Sequence, residues 1–541
     1  MEELDKRTKI MIMLAIMASM LFASLNQTIV GTALPRIVAE LGGMEYYSWV
    51  FTIYMLTSSV TGLLVGKLSD MYGRKPFILV GLLLFMIGAF LTGTSQDIIQ
   101  MILYRGLQGF GGGFIMSTAF SAIGDLFPPR ERGKWQGLMG AVFGMSAVIG
   151  PFLGGWIVDN ADWKWVFWVN LPIGVIAFLL IMRLFPKKTG NVSGRVDYAG
   201  AVFVSGLLVS LLLAFSWGGS KYEWNSMMII GLFAAAVVAL LLFIWAESRA
   251  EQPVLPLSLF KNSIFNIANL IGFLTGVAMF GSIMYIPLFV QGVVGTSATA
   301  SGLVTMPMMI AMVAASALSG QLTSRTGRYK AMALVGGVVL AIGMFMLTRM
   351  STETTNLMAS IDMIVVGAGL GFSMPILMLA VQNATPQKLL GVTSSAVQLF
   401  RQIGGTVGVA IMGTLMNNKI QEELTTIMPD QVKQFLAAPE MATHAKALTN
   451  PQLLVAPAQL EAIRSALPAQ VLPIFDQLIE ALKTALVGGL DVVFFVGFII
   501  ALVALVVTFF LKEIPLRTSN KDPEPNAKPD LNKPDMQPSG S

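Results

Sequence analysis

The stretch GKLSDMYGRKP, residues 66–76, decides the fold of this chain. It interrupts two long apolar runs with a short turn that carries Lys67, Asp70, Arg74 and Lys75. Charged side chains are costly inside hydrocarbon, so we expect this turn at a water face of a membrane. Glycine often follows the end of a helix, and proline often begins the next one. The stretch therefore predicts a tight hairpin between two membrane-spanning helices.

The composition of the 541-residue chain is that of a polytopic membrane protein. Hydrophobic residues make up 55% and charged residues 12%, whereas about a quarter of residues are charged in soluble domains. The net charge of +5 is spread over short loops between apolar runs, so we expect it to set membrane orientation, with no nucleic-acid partner.

Several chemistries lack the residues they need. The sequence has no cysteine and a single histidine, His444, so neither disulfides nor a Cys/His metal site is expected. No Gly-x-x-x-x-Gly-Lys-Ser/Thr phosphate loop occurs. We therefore expect a protein that is not an enzyme, binds no metal or cofactor and is not driven by ATP on this chain.

Counting apolar runs of about twenty residues predicts an all-α fold with fourteen membrane-spanning helices. The predicted spans are 10–34, 48–68, 76–95, 98–124, 135–158, 165–185, 197–217, 226–246, 263–290, 299–322, 330–349, 357–382, 391–416 and 486–511. An even number places both termini on one side. Loops on that side carry most of the Lys and Arg, so both termini are expected in the cytoplasm, with the chain in a plasma membrane, which we expect to be bacterial.

An internal repeat appears when the chain is offset against itself by about 254 to 258 residues. Residues 66, 68, 73 and 74 match 320, 322, 327 and 328; residues 109, 111, 113 and 114 match 367, 369, 371 and 372; and residues 146 and 150 align with 404 and 408. All three matches keep the same membrane direction. They predict two six-helix bundles related by a parallel repeat, with two inserted helices between them.

The repeat and the span positions predict six units along the chain. They are an N-terminal six-helix bundle (1–190), two inserted transmembrane helices (191–258), the first five helices of the C-terminal bundle (259–416), a long extracellular loop with amphipathic helices (417–485), the last transmembrane helix (486–516) and a disordered cytoplasmic tail (517–541).

Four stretches resemble known family signatures. The turn at 66–76, LYRGLQGFGGG (103–113) and GAVFGMSAVIGPFLGG (140–155) resemble the loop, fourth-span and antiporter signatures of the major facilitator superfamily. LNQTIVGTALP (25–35) resembles the first-span signature of its fourteen-span drug:proton antiporter family. This resemblance implies two bundles that rock around a central cavity, driven by proton entry, and export of lipophilic drugs.

The turn at 66–76 is the candidate cytoplasmic gate. We expect Asp70 to accept hydrogen bonds from the amino end of a neighbouring span, supported by Arg74. The candidate gate residues are Gly66, Asp70, Gly73, Arg74 and Lys75.

Arg105 is predicted to lie inside the hydrocarbon, where an arginine needs a partner or water. The resemblance implies a role in proton coupling; the alternative is a structural arginine held by backbone carbonyls. Asn26 stands where the family has an aspartate, at a depth similar to that of Arg105, and an asparagine cannot release a proton. Asp362 and Asp491 are therefore further coupling candidates, although Asp362 is equally explained as a solvated acid at the outer edge.

The remaining candidates line a cavity or form a hinge. The cavity candidates are Asn26, Gln27, Gln108, Arg401 and Gln402. The hinge candidates are Gly140, Gly144, Gly150, Pro151, Gly154 and Gly155, which allow close helix packing and a bend. The alternative for this face is helix packing without a hinge.

The function predicted from these features is export of lipophilic compounds by a proton-coupled antiporter, with small lipophilic substrates, protons and membrane lipids as partners and a monomer as the expected state. One alternative is export of a single endogenous metabolite or lipid. Another is a non-transporting receptor or scaffold, for which the long outer loop is the support.

Overall fold

The structure is a computed structural model that describes residues 5–41, 49–186, 197–219, 221–296, 298–437, 448–449, 453–454, 457–468 and 470–517. No β-strand forms in these ranges, which confirms the all-α prediction. The helices are α1 (Lys6–Leu41), α2 (Trp49–Tyr72), α3 (Arg74–Gly93), α4 (Ile98–Leu126), α5 (Pro129–Asn160), α6 (Trp165–Trp168), α7 (Leu171–Leu184), α8 (Tyr198–Trp217), α9 (Met227–Glu247), α10 (Ser263–Gly292), α11 (Ala298–Thr326), α12 (Tyr329–Leu347), α13 (Asn356–Asn383), α14 (Leu390–Ile427), α15 (Asp430–Ala437), α16 (Pro457–Ala466) and α17 (Leu472–Phe509).

Thirteen spans in the described part of the chain are long and apolar enough to cross a membrane, so the chain is a multi-pass membrane protein. The predicted span at 98–124 forms α4 but is not among the thirteen. Its 29 residues would extend about 43 Å at 1.5 Å per residue. It contains the polar residues Gln100, Arg105 and Gln108, and the count of fourteen spans stays a prediction.

The helices pack as two similar sets. We call α1–α7 the first half and α10–α14 with α17 the second half. In the first half α4 packs on α2 and α3, and α1 packs on α5; in the second half α13 packs on α11 and α12, and α10 packs on α14. We call the end of the molecule at which residues 66–76 lie the motif end.

Matching glycines occupy matching places in the two halves. Gly73 and Gly327 have φ angles of 91° and 74° in the turns after α2 and α11, a conformation that disfavours any side chain. On α4, a Cβ at Gly113 would lie 2.5 Å from Ser58 O of α2. On α13, a Cβ at Gly371 would lie 2.8 Å from the Ala315 side chain of α11. The repeated glycines therefore let equivalent helices approach equally closely.

The helices α8 and α9 follow α7 and precede α10 in the sequence, and α8 contacts α2 of the first half and α14 of the second. The Trp217 ring at the end of α8 lies 5.6 Å from the Trp49 ring of α2. In the α8–α9 connection, Trp224 Nε1 donates to Thr414 Oγ1 of α14 at 3.0 Å. In contrast, α9 packs mainly on α8 and exposes large apolar side chains such as Leu241.

The region predicted as a long loop at 417–485 contains more helix than expected. The helix α14 continues to Ile427, and α17 begins at Leu472, within the stretch predicted to be amphipathic helix. Leu478 and Leu482 on that stretch are fully buried. Residues 438–447, 450–452, 455–456 and 469 lie outside the described ranges.

The segment after α17 packs across the motif end of the second half. Tyr329 Oη accepts a hydrogen bond from Ile514 N at 2.9 Å, and Arg517 N donates to Asn383 Oδ1 at 3.1 Å. Leu511 is fully buried beside Tyr329. The rest of the predicted tail, 518–541, lies outside the described residues.

Candidate functional site

Asp70, in the last turn of α2, contacts the amino end of α14 in the other half. Its carboxylate accepts hydrogen bonds from Gly391 N at 2.9 Å and Val392 N at 3.1 Å. The residue before α14 is Leu389, which gives no side-chain cap. The first N–H groups of a helix lack partners within it and favour negative charge. Asp70 therefore caps α14 from the opposite half, the geometry expected from the sequence.

Arg74 holds the Asp70 carboxylate in place. The guanidinium forms an ion pair with Asp70 and a second one with Asp125 of α4, where Nε lies 2.9 Å from Oδ2. It also donates to Ser69 Oγ at 2.6 Å, and only 4% of Arg74 is exposed. A buried ion pair is stable when its remaining groups are hydrogen-bonded. Two carboxylates around one guanidinium leave a net negative charge beside the amino end of α14.

Two other predicted gate residues have separate roles. A Cβ at Gly66 would lie 2.8 Å from Gly391 O, so the missing side chain lets α2 and α14 touch by their backbones. Lys75 Nζ donates to Phe185 O at 2.6 Å, which satisfies a carbonyl at the end of α7 inside the first half. Lys75 therefore braces the turn rather than the contact between halves.

A second polar contact joins the halves at the motif end, centred on Gln382 of α13. Gln136 Nε2 of α5 donates to Gln382 Oε1 at 3.1 Å, and Arg132 Nη1 donates to Gln382 O at 3.3 Å. Gln382 Nε2 in turn donates to Phe120 O of α4 at 3.2 Å and to Ser394 Oγ of α14 at 2.9 Å. One buried amide thus connects four helices from both halves.

Sequence reasoning did not identify Gln382, Arg132 or Asp125 as site residues. Gln382 is a polar residue in an otherwise apolar predicted span, which is a signal of function. For Arg132, the sequence indicated only a positive charge in a loop. The signal for Asp125 was its place at the charged end of the fourth span, but its partner depends on packing.

Glycines of α5 form another contact between the halves. A Cβ at Gly133 would lie 3.0 Å from Gly320 O, and one at Gly137 would lie 2.8 Å from Ser316 O, both on α11. A methyl group would collide at Gly137 and would be tight at Gly133, so the two helix backbones approach closely at these points. This face begins before the predicted hinge motif, at the motif end.

The predicted hinge glycines divide between two partners. A Cβ at Gly140 would make ordinary contact with the Ser316 side chain at 3.4 Å, whereas one at Gly144 would collide with the Val313 side chain of α11. Gly150 instead faces α1, where a Cβ would lie 2.6 Å from Thr28 Cβ. The motif therefore joins α5 to the second half along one part and to α1 along the next.

The last hinge candidates differ again. Gly154 is buried, whereas a Cβ at Gly155 would meet nothing within 4 Å. Pro151 lies within α5, but its side chain is not among those that the structure describes. Its hinge role stays a prediction.

Arg105 lies in a fully buried polar cluster inside the first half. Its Nη1 donates to Gln108 Oε1 at 2.7 Å and to Asn26 Oδ1 of α1 at 3.3 Å, and Gln108 Nε2 donates to Asn26 Oδ1 at 2.8 Å. The guanidinium also stacks 4.6 Å from the centre of the Tyr54 ring. The structure thus brings together Asn26, Arg105 and Gln108.

This cluster holds a positive charge without a carboxylate. In the described part of the chain, Arg105 Nη2 and Asn26 Nδ2 are buried without a hydrogen-bond partner. An aspartate at position 26 would offer a second acceptor oxygen and a compensating charge. With an asparagine there, part of the guanidinium is unsatisfied.

The other charged candidates lie elsewhere. Asp362 is half-buried on α13, and Asp491 is exposed on α17. Among the described residues, neither forms a hydrogen bond or an ion pair with Arg105. Arg401 of α14 contacts Met374 Sδ at 3.6 Å. Among the described residues, no ion pair includes any of these three side chains.

A small uncharged cavity of about 40 Å³ lies between α2, α4 and α14. Gln402 borders it, and its Oε1 accepts a hydrogen bond from Ser59 Oγ of the other half at 2.7 Å. Gln27 lies apart from this cavity and contacts Met55 Sδ at 3.8 Å. The polar lining residues are Ser58, Ser59, Ser117, Ser395, Gln398 and Gln402.

The two halves, the glycine faces and the motif turn together match a known family. The model of the Major Facilitator Superfamily matches residues 16–200 and 198–409. The chain belongs to the major facilitator superfamily. It is 42% identical over 527 residues to the multidrug transporter protein MdtP of Bacillus subtilis (strain 168), covering 96% of this chain and 95% of that protein. It is 38% identical over 413 residues to multidrug resistance protein 3 of the same strain, covering 76% and 80%.

Solved structures of other major facilitator proteins share the fold. The human organic anion transporter MFSD10 (TETRAN) gives a TM-score of 0.59 at 14% identity, covering 75% of this chain and 93% of that chain. FucP in its outward conformation gives 0.53 at 13% identity, covering 92% and 99%. The solved structures share the fold, and the chain is a transporter of the major facilitator superfamily, as its sequence predicted.

Proposed function

We propose that this protein is a fourteen-span, proton-coupled antiporter that exports lipophilic compounds across the plasma membrane by alternating access. The motif end lies in the cytoplasm with both termini, because the loops there carry most of the positive charge. The multidrug names of its relatives support the substrate class.

The observation that carries the proposal is the hydrogen bonding of Asp70 to Gly391 and Val392 across the two halves. Together with the Gln382 contact and the approach of Gly133 to Gly320, it closes the cytoplasmic end. An exporter must also load substrate from the cytoplasm. These contacts are therefore the ones that break and re-form in each cycle.

Proton coupling in this proposal needs a titrating group outside the Arg105 cluster. Arg105 keeps its charge, and Asn26 and Gln108 cannot exchange a proton near neutral pH. Asp362 is the half-buried acid of the second half and remains our candidate. The guanidinium of Arg105 would then set the electrostatic field of the cavity rather than carry the proton.

The test is transport by purified protein in proteoliposomes with an imposed pH gradient. Lipophilic substrates should accumulate against their gradient when protons flow the opposite way, and a protonophore should abolish accumulation. Protein-free liposomes are the control for leakage. Transport that ignores the pH gradient would refute the coupling, and no movement of any lipophilic compound would refute the export function.

A further inference from the structure

Two carboxylates lie near each other at the cytoplasmic base of the inserted helices, and neither has a role in the transport cycle proposed above. Asp197 is the cap residue before α8, and Glu247 is the last residue of α9. A Cβ at Gly200 would collide with Asp197 Oδ2 and would lie 3.0 Å from Glu247 Oε1. The two acids therefore converge on the same side of α8.

Glu247 is held in a dry position. Only 5% of the residue is exposed, and its Oε1 accepts hydrogen bonds from Val254 N at 2.9 Å and Leu255 N at 3.2 Å. Its other oxygen, Oε2, is buried without a hydrogen-bond partner in the described part of the chain. An ionised carboxylate with a dry unpaired oxygen is costly.

Asp197 also has one hydrogen-bonded and one unpaired carboxylate oxygen. Its Oδ1 accepts a hydrogen bond from Gly200 N at 2.8 Å and caps α8. Its Oδ2 is buried, and no described residue gives it a hydrogen-bond partner. Glu247 Oε1 and Asp197 Oδ2 both lie beside Gly200, so the negative charge of Asp197 repels a negative charge on Glu247 and favours its protonated form.

The acid pair is linked to the gate through Lys67. Lys67 is 6% exposed, lies one turn before Asp70 and donates from Nζ to Gln252 Oε1 at 3.0 Å. Gln252 belongs to the segment after α9 that Glu247 holds through its hydrogen bonds to Val254 and Leu255.

The charges that act on these groups come from four elements. Lys67 is within electrostatic reach of Glu247, Asp70 and Lys388, and Glu247 is within reach of Asp197 and Lys67. Among these, Glu247 attracts Lys67 from the linker side, and Asp70 attracts it along its own helix. A change of charge on the acid pair therefore changes the pull on the end of α2 that carries Asp70.

We propose that Glu247, beside Asp197, is a proton-binding site on the inserted helices, and that its charge, acting on Lys67, biases the cytoplasmic gate of the alternating-access cycle proposed above. When Glu247 loses its proton, the added negative charge holds Lys67 and α2 in the closed arrangement. When Glu247 binds the proton, this hold weakens. Falling pH at the cytoplasmic face therefore favours gate opening.

The absence of cysteine makes a direct test possible. A Ser395→Cys variant places a thiol beside Gly66, where only an open gate exposes it to a cytoplasmic reagent. A Thr326→Cys variant places one on the exposed end of α11 as the reference for thiol chemistry. The labelling rate at 395 relative to 326 should fall several-fold between about pH 5.5 and about pH 8.5.

Substitutions in the Ser395→Cys background then assign the effect. Glu247→Gln, Asp197→Asn and Lys67→Gln should each flatten the pH dependence, whereas Glu251→Gln, an exposed acid on the same segment, should keep it. A folded Asp197→Asn variant keeps the test decisive if Glu247→Gln fails to fold. Unchanged pH dependence in the pair variants, or none in the parent, would overturn the proposal. Because accessibility is scored without substrate, failure of proton-driven transport is a separate result.

Discussion

Asp70 and Gly391 meet across the two halves, with Asp70 Oδ1 lying 2.9 Å from the backbone nitrogen of Gly391. Helix α14 starts after Leu389, an apolar residue that cannot cap it, so its cap comes from α2. When the halves separate at this end, the amino end of α14 loses its cap and the hydrogen bond to the Asp70 carboxylate breaks at the same time. That coupling makes the closed state a discrete arrangement.

Replacing Asp70 with Asn should strongly reduce export while leaving membrane insertion normal. Hydrogen bonds to a charged group are worth about 1 kcal/mol more than neutral ones, and Asn offers only one acceptor oxygen to the two N–H groups of α14. The closed state should lose at least about tenfold in population. Efflux from vesicles at matched protein level is the measurement. Asp162→Asn, on an exposed loop, is the matched control, and full efflux by Asp70→Asn would contradict a gating role.

The glycines of α5 should differ sharply in their tolerance of alanine. Gly144→Ala forces α5 away from Val313 of α11, and overpacking of this kind costs about 1–3 kcal/mol. Gly155→Ala meets no neighbour within 4 Å and should transport normally. The measurements are the export rate and the melting temperature of both variants. Equal loss in the two would show that glycine content, rather than this contact, is what α5 requires.

Substrate charge should depend on Asn26. The described cluster around Arg105 carries a buried positive charge with no carboxylate, which disfavours a lipophilic cation nearby. We expect neutral, zwitterionic or anionic amphiphiles to be exported better than a dicationic dye of similar hydrophobicity. Asn26→Asp should raise dication export, and Asn26→Leu, which changes no charge, should not. Strong dication export by the unmodified protein would refute this explanation.

Asp362 should be required for coupling to the pH gradient, and Asp491 should not. Asp362 is half-buried on α13, whereas Asp491 is exposed on α17. Asp362→Asn should abolish accumulation driven by a pH gradient and retain substrate exchange at equal pH. Asp491→Asn should keep both activities. Gradient-driven accumulation by Asp362→Asn would remove it as the coupling acid.

The membrane explains which features the sequence predicted well. A span needs about twenty apolar residues, so helix positions such as α9 and α12 agree closely with the predicted ranges. Asn26 and Arg105 were placed together because depth in a helix follows residue count. The extension of α14 to Ile427 was missed because helix beyond the hydrocarbon carries no such apolar signal.

The sequence alone determined the membrane class, the repeat and the glycine turn at Gly73, since these follow from hydropathy and from backbone conformations that only glycine adopts readily. It also predicted that Asp70 accepts hydrogen bonds from the amino end of a neighbouring helix. Only the tertiary structure decided that this end is Gly391, that Gln382 joins four helices and that Asp197 meets Glu247. Contacts between distant helices depend on how their faces pack, and no local pattern of residues encodes that choice.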